Sequence, residues 1–415
     1  MLPAMSANGP APPKVPFYAV ILGAMILGLV AGPWLGAYTA IFGEVGKVVI
    51  NAIKAAATPL LFFAIVHAIL KTEVNGKAAL RMVGIATTNT TIALATGLLL
   101  SNVLRPGDHL TLVTDGAGSP SPYAGKKVDF LKTFVGYIPT NVLTPFVDNA
   151  VLSIIILALL FGFALRRVKR ERPESHFVED LVETLLRVME VVLAWVIKLI
   201  PLAVFGVAAK TVAENGYAPL KGLAVYVVVG LVGLCLHITV TYQAWLLIAG
   251  LPLRRFWREA REPMVYAVGT NSSLATLPAT LQALGRLKIS KESSTLGACV
   301  GTNLNNDGIV LYEGMAVLFV AQASGIDLSL SDQILASITC IVAAMGVAGV
   351  PEAGFVSLAL VLNTIGLPID ILPLLLAVDW VIARARSVTN VLSDMVLSIL
   401  LERAKGPLAA GTGPP

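Results

Sequence analysis

The sequence predicts an all-α polytopic membrane protein, and three observations carry that prediction. Hydrophobic residues make up 56% of the 415 and charged residues only 13%, about half the charged share of an ordinary soluble domain. Apolar runs recur along the chain, most of them near the roughly 20 residues that cross about 30 Å of hydrocarbon. Those runs carry almost none of the polar outward positions that a water-exposed helix needs.

In chain order, Met1–Lys14 is Pro- and Ala-rich without the charged start of a secretory signal and reads as a short cytoplasmic tail. Apolar runs follow at Val15–Gly36, Val45–Leu70, Gly84–Val103, Ala150–Leu165, Val191–Val212 and Leu223–Leu251. Basic clusters come after the fourth run (Arg166, Arg167, Lys169, Arg170, Arg172) and after the sixth (Arg254, Arg255, Arg258, Arg261). Both are expected on the cytoplasmic side, which puts both termini inside. The loop Arg105–Asp129 has no positive excess and suits the outside, and Lys405–Pro415 reads as a disordered tail.

From Arg254 onward the texture changes. Polar, Gly and Pro residues interrupt the apolar stretches at YAVGTNSSLATLPA (Tyr266–Ala279), GTNLNNDGIVLYEG (Gly301–Gly314) and AAMGVAGVPEAG (Ala343–Gly354). Within a bilayer, non-helical backbone is tolerated only where protein buries it or it lines a watery cavity. Broken helices near the midplane are how many transporters build their binding sites. The three breaks therefore locate the site.

The final span sharpens this. Asp379, Ala383, Arg386, Asn390 and Asp394 follow one another at spacings of 4, 3, 4 and 4 and so share one helical face. Charges on such a stripe cost about several kcal/mol each unless paired or hydrated. Arg386 is read as a guanidinium that forks onto a substrate carboxylate, with a buried ion pair to an Asp as the plainer alternative. Asn390 and Asp394 would add oxygen ligands for a cation. Asn305, Asn306 and Asp307 before Gly308 predict a helix break that exposes carbonyls beside a carboxylate, a setting for Na⁺. An Asn-rich kink held by side-chain to backbone bonds is the competing reading. Glu313 is either a proton carrier or a carboxylate neutralised by Arg386.

The net charge of +5 carries no basic stripe interleaved with aromatics, so no nucleic-acid partner is expected. Cys235, Cys299 and Cys340 and the histidines His67, His109, His176 and His237 are dispersed, without metal-ligand or disulfide spacing. No metal other than sodium and no cofactor is expected. An enzyme would need a nucleophile with a base in reach, and Ser272 and Ser273 have no histidine in their motif.

Four segments together resemble the signature regions of the glutamate-transporter family, the dicarboxylate/amino acid:cation symporters. They are Thr270–Pro278 (TNSSLATLP), Asn305–Gly314 (NNDGIVLYEG), Gly346–Gly354 (GVAGVPEAG) and Asp379–Asp394 (DWVIARARSVTNVLSD), and the likeness runs from about residue 15 to 402. The resemblance implies a homotrimeric elevator transporter of the inner cell membrane, in contact with its lipids. Each protomer would have eight transmembrane spans and two re-entrant hairpins. Residues 15–75 (spans one and two) and 130–213 (spans four and five) would form the scaffold. Residues 77–104 (span three) and 220–402 (span six, hairpin one, span seven, hairpin two, span eight) would form the transport domain. Hairpin one is expected at Arg258–Leu287 and hairpin two, the extracellular gate, at Ser331–Leu367, with Gly346, Gly349 and Gly354 loosening its tip.

The resemblance also assigns roles. Arg386 would take the distal carboxylate of the substrate, Asn390 would touch the substrate and lend a carbonyl to sodium, and Ser387 stands where relatives have a threonine. Ser272 and Ser273 fall on the tip of hairpin one, whose amides receive a carboxylate, and Val350 and Gly354 on the part of hairpin two that closes over the ligand. Asp394, with the carbonyls of Gly301 and Asn305, would form one sodium site, and Asp307, with Asn89 and Thr90, another. Glu313 matches a glutamate linked to proton co-transport.

Departures from the pattern bear on chemistry. Asn306 replaces a methionine between the cation sites, Ile309 removes a hydroxyl that contacts substrate, and Ala86 replaces an aromatic residue. Ala383 stands where amino-acid carriers have an aspartate for the substrate ammonium, and without it a buried ammonium would lack its counter-ion. The implied function is therefore uptake of a C4 dicarboxylate such as succinate, fumarate or malate with Na⁺, H⁺ being a further coupling ion. An acidic amino acid is the alternative substrate, and an anion channel the alternative class.

Overall fold

The computed structural model describes residues 17–36, 38–71, 76–110, 138–172, 176–217, 219–346 and 353–406, all of them helix, turn or irregular, with no strand among them. Among these, three helices are long and apolar enough to cross a membrane, or four if one bent pair counts as a single span.

The first half holds α1 (Phe17–Leu35), α2 (Tyr38–Lys71), α3 (Gly76–Leu104), α4 (Val151–Glu171), α5 (His176–Ile197) and α6 (Ile200–Asn215). Each of the first four apolar runs corresponds to one helix: α1 ends and α4 begins within a residue of theirs, and α2 and α3 begin seven and eight residues ahead of theirs. The run Val191–Val212 differs, because it is not one helix. The chain turns at Lys198–Leu199, with Pro201 in the first turn of α6, and the two parts meet at 41°. Pro201 has no N–H to donate and its ring obstructs the preceding turn, so a new helix starts there. The segment before the bend is amphipathic, with Glu179, Glu183, Arg187 and Glu190 near one face, which is why an apolar-run count overlooks most of α5.

α2 packs against α4, α5 and α6, and α1 against α6. Gly28 makes that last contact possible, since a Cβ there would lie 2.5 Å from the carbonyl oxygen of Phe205. α3 leaves this group and packs instead on the second half. It ends in a turn where Arg105 holds Asp108 (2.5 and 3.2 Å) and Asp327 (3.2 Å). Those hydrogen bonds, Asp108's foremost, lift the guanidinium above its ordinary range.

The second half begins with α7 (Pro219–Leu236), which runs through a π-helical turn (His237–Tyr242) into α8 (Gln243–Ala249). Two helix pairs follow, α9 (Leu253–Thr270) with α10 (Ser273–Arg286), and α12 (Leu330–Gly346) with α13 (Ala353–Ile365). Between them lies α11 (Asp307–Ala323), and α14 (Leu372–Arg403) closes the chain. The break ahead of α11 is extended: a π-turn at Thr295–Val300, a 3-10 turn at Gly301–Asn303, then non-helical residues up to Asn306.

α11 is the centre of this half. Residues Asp307–Ala321 are all buried, and α11 touches α3, α7, α12, α13 and α14. At Gly97 of α3 a Cβ would come within 2.6 Å of the Leu311 carbonyl oxygen, so the two backbones sit closer than any side chain allows.

Candidate functional site

The polar residues flagged by the sequence fall into three clusters around the N-terminal end of α11. The first surrounds Asp307, which is fully buried. Asn89 Nδ2 donates to its Oδ2 at 2.7 Å, Thr90 Oγ1 to its Oδ1 at 3.0 Å and Tyr242 OH to its Oδ2 at 3.0 Å. The hydroxyl of Ser393 makes a further short bond to Oδ2, and His237 Nε2 lies 3.4 Å away. Donors from α3, the π-turn and α14 thus converge on one carboxylate at the first turn of α11, where the helix dipole also favours negative charge. A buried carboxylate is tolerable only when so satisfied.

Sequence reasoning found Asp307, Asn89 and Thr90 here but missed Tyr242, His237 and Ser393. The π-turn explains two of these. Its wider turn sets residues five apart on one side, and the His237 and Tyr242 rings stack edge to face at 4.8 Å. The sequence signal was the polar run His237–Thr239–Thr241–Tyr242–Gln243 inside an otherwise apolar stretch. Trp245 adds an indole bond of 3.0 Å to Asn89 Oδ1, which fixes the amide so that its nitrogen faces Asp307.

The second cluster brings Asn305, Asn306, Gly301 and Asp394 together across the break. Asn305 Nδ2 donates to Ser393 Oγ at 2.7 Å. Asn305 Oδ1 and Asp394 Oδ1 are buried acceptor oxygens with no hydrogen-bond partner among the described residues. Oxygens left in that condition suit a hard cation. The Gly301 carbonyl accepts from Leu304 N and Asn305 N at 2.7 and 2.8 Å, which ties off the turn. Asn306 Nδ2 donates to the carbonyl of Ala344 at 3.1 Å, in the last turn of α12, where helix carbonyls lack intrahelical partners. The break therefore holds one arm of the second helix pair.

The third cluster surrounds Arg386. Its Nη1 and Nη2 fork onto Asp379 Oδ1 and Oδ2 at 2.9 and 2.8 Å, and its guanidinium lies 4.1 Å from the centre of the Tyr312 ring. The plainer alternative weighed from sequence, a buried pair with an Asp, is the arrangement found. Gly354 of α13 covers the guanidinium, and a Cβ there would be 2.9 Å from Arg386 Cζ. Ser387 Oγ donates to Asn271 Oδ1 at 3.0 Å, so the turn between α9 and α10 is pinned beside Arg386. Asn271 has φ +50° and ends α9; sequence reasoning passed over it for the neighbouring serines. Ser272 caps α10, its side chain accepting from Ala275 N at 3.2 Å, and Ser273 is the first residue of that helix.

Asn390 joins the clusters. Its Oδ1 accepts from Gly308 N at 2.8 Å, and a Cβ on Gly308 would come within 2.7 Å of the Arg386 carbonyl oxygen. Ala383 is buried on the α14 face between Asp379 and Arg386, while Ile309 packs into the main apolar core. Ala86 packs with Met82, Leu397 and Leu401. Glu313 is fully buried and takes a short bond from the Ser357 hydroxyl of α13, and its Oε2 has no hydrogen-bond partner among the described residues. Arg386 forms an ion pair with Asp379. Val350 and Gly349 lie outside the described residues.

A break in a buried helix, a forked arginine and acidic oxygens in a membrane-type chain are the parts of an ion-coupled carrier. The profile of the sodium:dicarboxylate symporter family matches residues 17–404. The chain belongs to that family. Among curated relatives of this symporter family, the C4-dicarboxylate transport protein of Rhodospirillum rubrum is 31% identical, over 96% of this chain and 92% of the relative. The proteins of the same name from Stenotrophomonas maltophilia and Anaeromyxobacter sp. strain K are 28% and 31% identical, over 96% and 94% of this chain and 92% and 90% of theirs. Family membership makes the chain a transporter in kind, with sodium as the ion its family name carries.

Proposed function

We propose that this protein takes up a C4 dicarboxylate such as succinate, fumarate or malate together with Na⁺. The observation that carries the reading is the face of α14 set against the broken end of α11. Arg386 supplies a fork for a carboxylate, Ser387 and Asn390 flank it, and the methyl of Ala383 leaves no carboxylate at that position for a substrate ammonium. The names of the relatives point to the same substrate class. The turn at Asn271–Ser273 would present amides to the second substrate carboxylate.

Sodium would be held at two places in this reading. Asp394 with Asn305, Asn390 and the Gly301 carbonyl would form one, once the break loosens that carbonyl from its turn. Asp307 with Asn89 and Thr90 would form the other, and Asn306 stands between them. Glu313 would carry a proton where H⁺ takes part. The carrier would work as a trimer in the inner membrane with both termini inside, each protomer having eight spans and two hairpins. The group α1, α2 and α4–α6 would be the fixed scaffold, and α3 with α7–α14 the moving domain.

Uptake of labelled succinate and labelled aspartate into proteoliposomes, with and without an inward Na⁺ gradient, tests this. Na⁺-dependent succinate uptake is expected. Aspartate uptake that succinate does not compete with would sink the substrate assignment.

A further inference from the structure

We infer that Trp245 is a positioning residue for the ion site at Asp307: its indole N–H holds the Asn89 amide with the nitrogen turned inward, and Asn89 becomes a sodium ligand only when that bond is released. The inference rests on the reading that Asp307, Asn89 and Thr90 hold a sodium ion.

The orientation of the amide is fixed by its partners. Asn89 lies on α3 and is fully buried. Its Nδ2 donates to Asp307 Oδ2 at 2.7 Å and to Ser393 Oγ at 2.9 Å, and its Oδ1 accepts from Trp245 Nε1 at 3.0 Å. An indole nitrogen can only donate, and an ionised carboxylate can only accept. The amide therefore sits one way round, nitrogen toward Asp307 and oxygen toward α8. Reversing it would set its NH2 group against the indole N–H, donor facing donor.

That orientation is the wrong one for a hard cation, which takes oxygen ligands. The other close partners of Asp307 are the hydroxyls of Thr90, Tyr242 and Ser393. A hydroxyl can turn its hydrogen aside and offer the same oxygen to an ion. His237 Nε2 stands farther off, at 3.4 Å. The amide nitrogen has no lone pair to offer, so Asn89 becomes a ligand only by exchanging its two ends, and the exchange forfeits the bond from Trp245. Trp245 lies half-buried on α8, at the margin of the apolar cluster that contains Tyr242 and Met395, so its ring has an open side on which to draw back.

Sodium binding at Asp307 thus becomes a choice between two arrangements, Asn89 latched to Trp245 or turned onto the ion. A site competent for only a fraction of the time binds its ligand more weakly by that fraction. The device needs both residues: an amide with two unlike ends, and a donor that accepts only one of them.

The test is a Na⁺ titration of the whole chain, purified in detergent without substrate and held at constant ionic strength, with the rise in Tm as the readout. Trp245→Phe removes the donor and keeps an aromatic ring. Its expected effect is to lower the Na⁺ concentration for half-maximal stabilisation by about three- to tenfold, the weight of one neutral hydrogen bond. Asn89→Thr puts a hydroxyl oxygen in place of the amide and leaves nothing to turn. On that background Trp245→Phe should change the Na⁺ curve no further, a coupling that a merely structural role for Trp245 would not produce. An unchanged or weaker Na⁺ response in Trp245→Phe, or the same tightening on the Asn89→Thr background, would overturn the inference and leave sodium coupling standing. If Trp245→Phe fails to fold, Asn89→Thr alone decides: tighter Na⁺ binding than wild type supports the latch, and equal or weaker binding overturns it. Absence of any Na⁺ response in the wild-type protein would overturn the functional reading, and this inference with it.

Discussion

At the scale of single residues, buried charge is the organising problem, and this chain solves it with dense polar coordination. Asp307 draws donors from three other elements, each bond to a charged group contributing about 1.5–3 kcal/mol. Asp307→Asn keeps the shape and removes the charge. It is expected to raise the Na⁺ concentration for half-maximal uptake by at least about tenfold, since one full charge leaves a low-dielectric site; an unchanged Na⁺ curve would remove Asp307 from the ion site. Arg386→Ala should abolish uptake and also destabilise the fold by about 3–5 kcal/mol, because Asp379 is left buried and unpaired. A thermal melt in detergent reads the second effect separately from transport. Glu313→Gln is expected to flatten the response of uptake to an inward pH gradient. A pH response equal to wild type would exclude the proton role.

At the scale of elements, irregular geometry does the positioning. The π-turn at His237–Tyr242 rotates α8 relative to α7 and brings Tyr242 and Trp245 onto the Asp307 cluster. Gly308 is the matching device on α11. Gly308→Ala would place a methyl 2.7 Å from the Arg386 carbonyl oxygen, and overpacking of that kind costs about 1–3 kcal/mol. The expected readout is a lowered Tm together with weakened succinate binding, because the bond from Gly308 N to Asn390 would stretch.

At the scale of the whole molecule, the helices fall into two groups. α1, α2 and α4–α6 pack mainly on one another, and α3 joins α7–α14 through its contact with α11. The proposed scaffold and moving domain are drawn along that division. The proposed trimer predicts that light scattering on the detergent-purified protein gives three times the chain mass of 43.5 kDa; the mass of a single chain would sink it.

Composition and spacing alone determined the membrane-type helical class, the breaks near Asn271, Asn306 and Gly346, and the charged face of α14. These are legible because a bilayer penalises each polar residue locally, whatever its partners. Family membership was legible as well, from four short motifs in order. Tertiary structure alone decided who partners whom. Asp379 lies on the same stripe as Arg386, but the stripe does not say whether the guanidinium points along the helix or away from it. Tyr242 and Ser393 look like ordinary helix residues until the π-turn and the packing of α14 bring them to Asp307. The bend at Pro201 hid inside a continuous apolar run, because hydropathy records how apolar a segment is and not the direction its backbone takes.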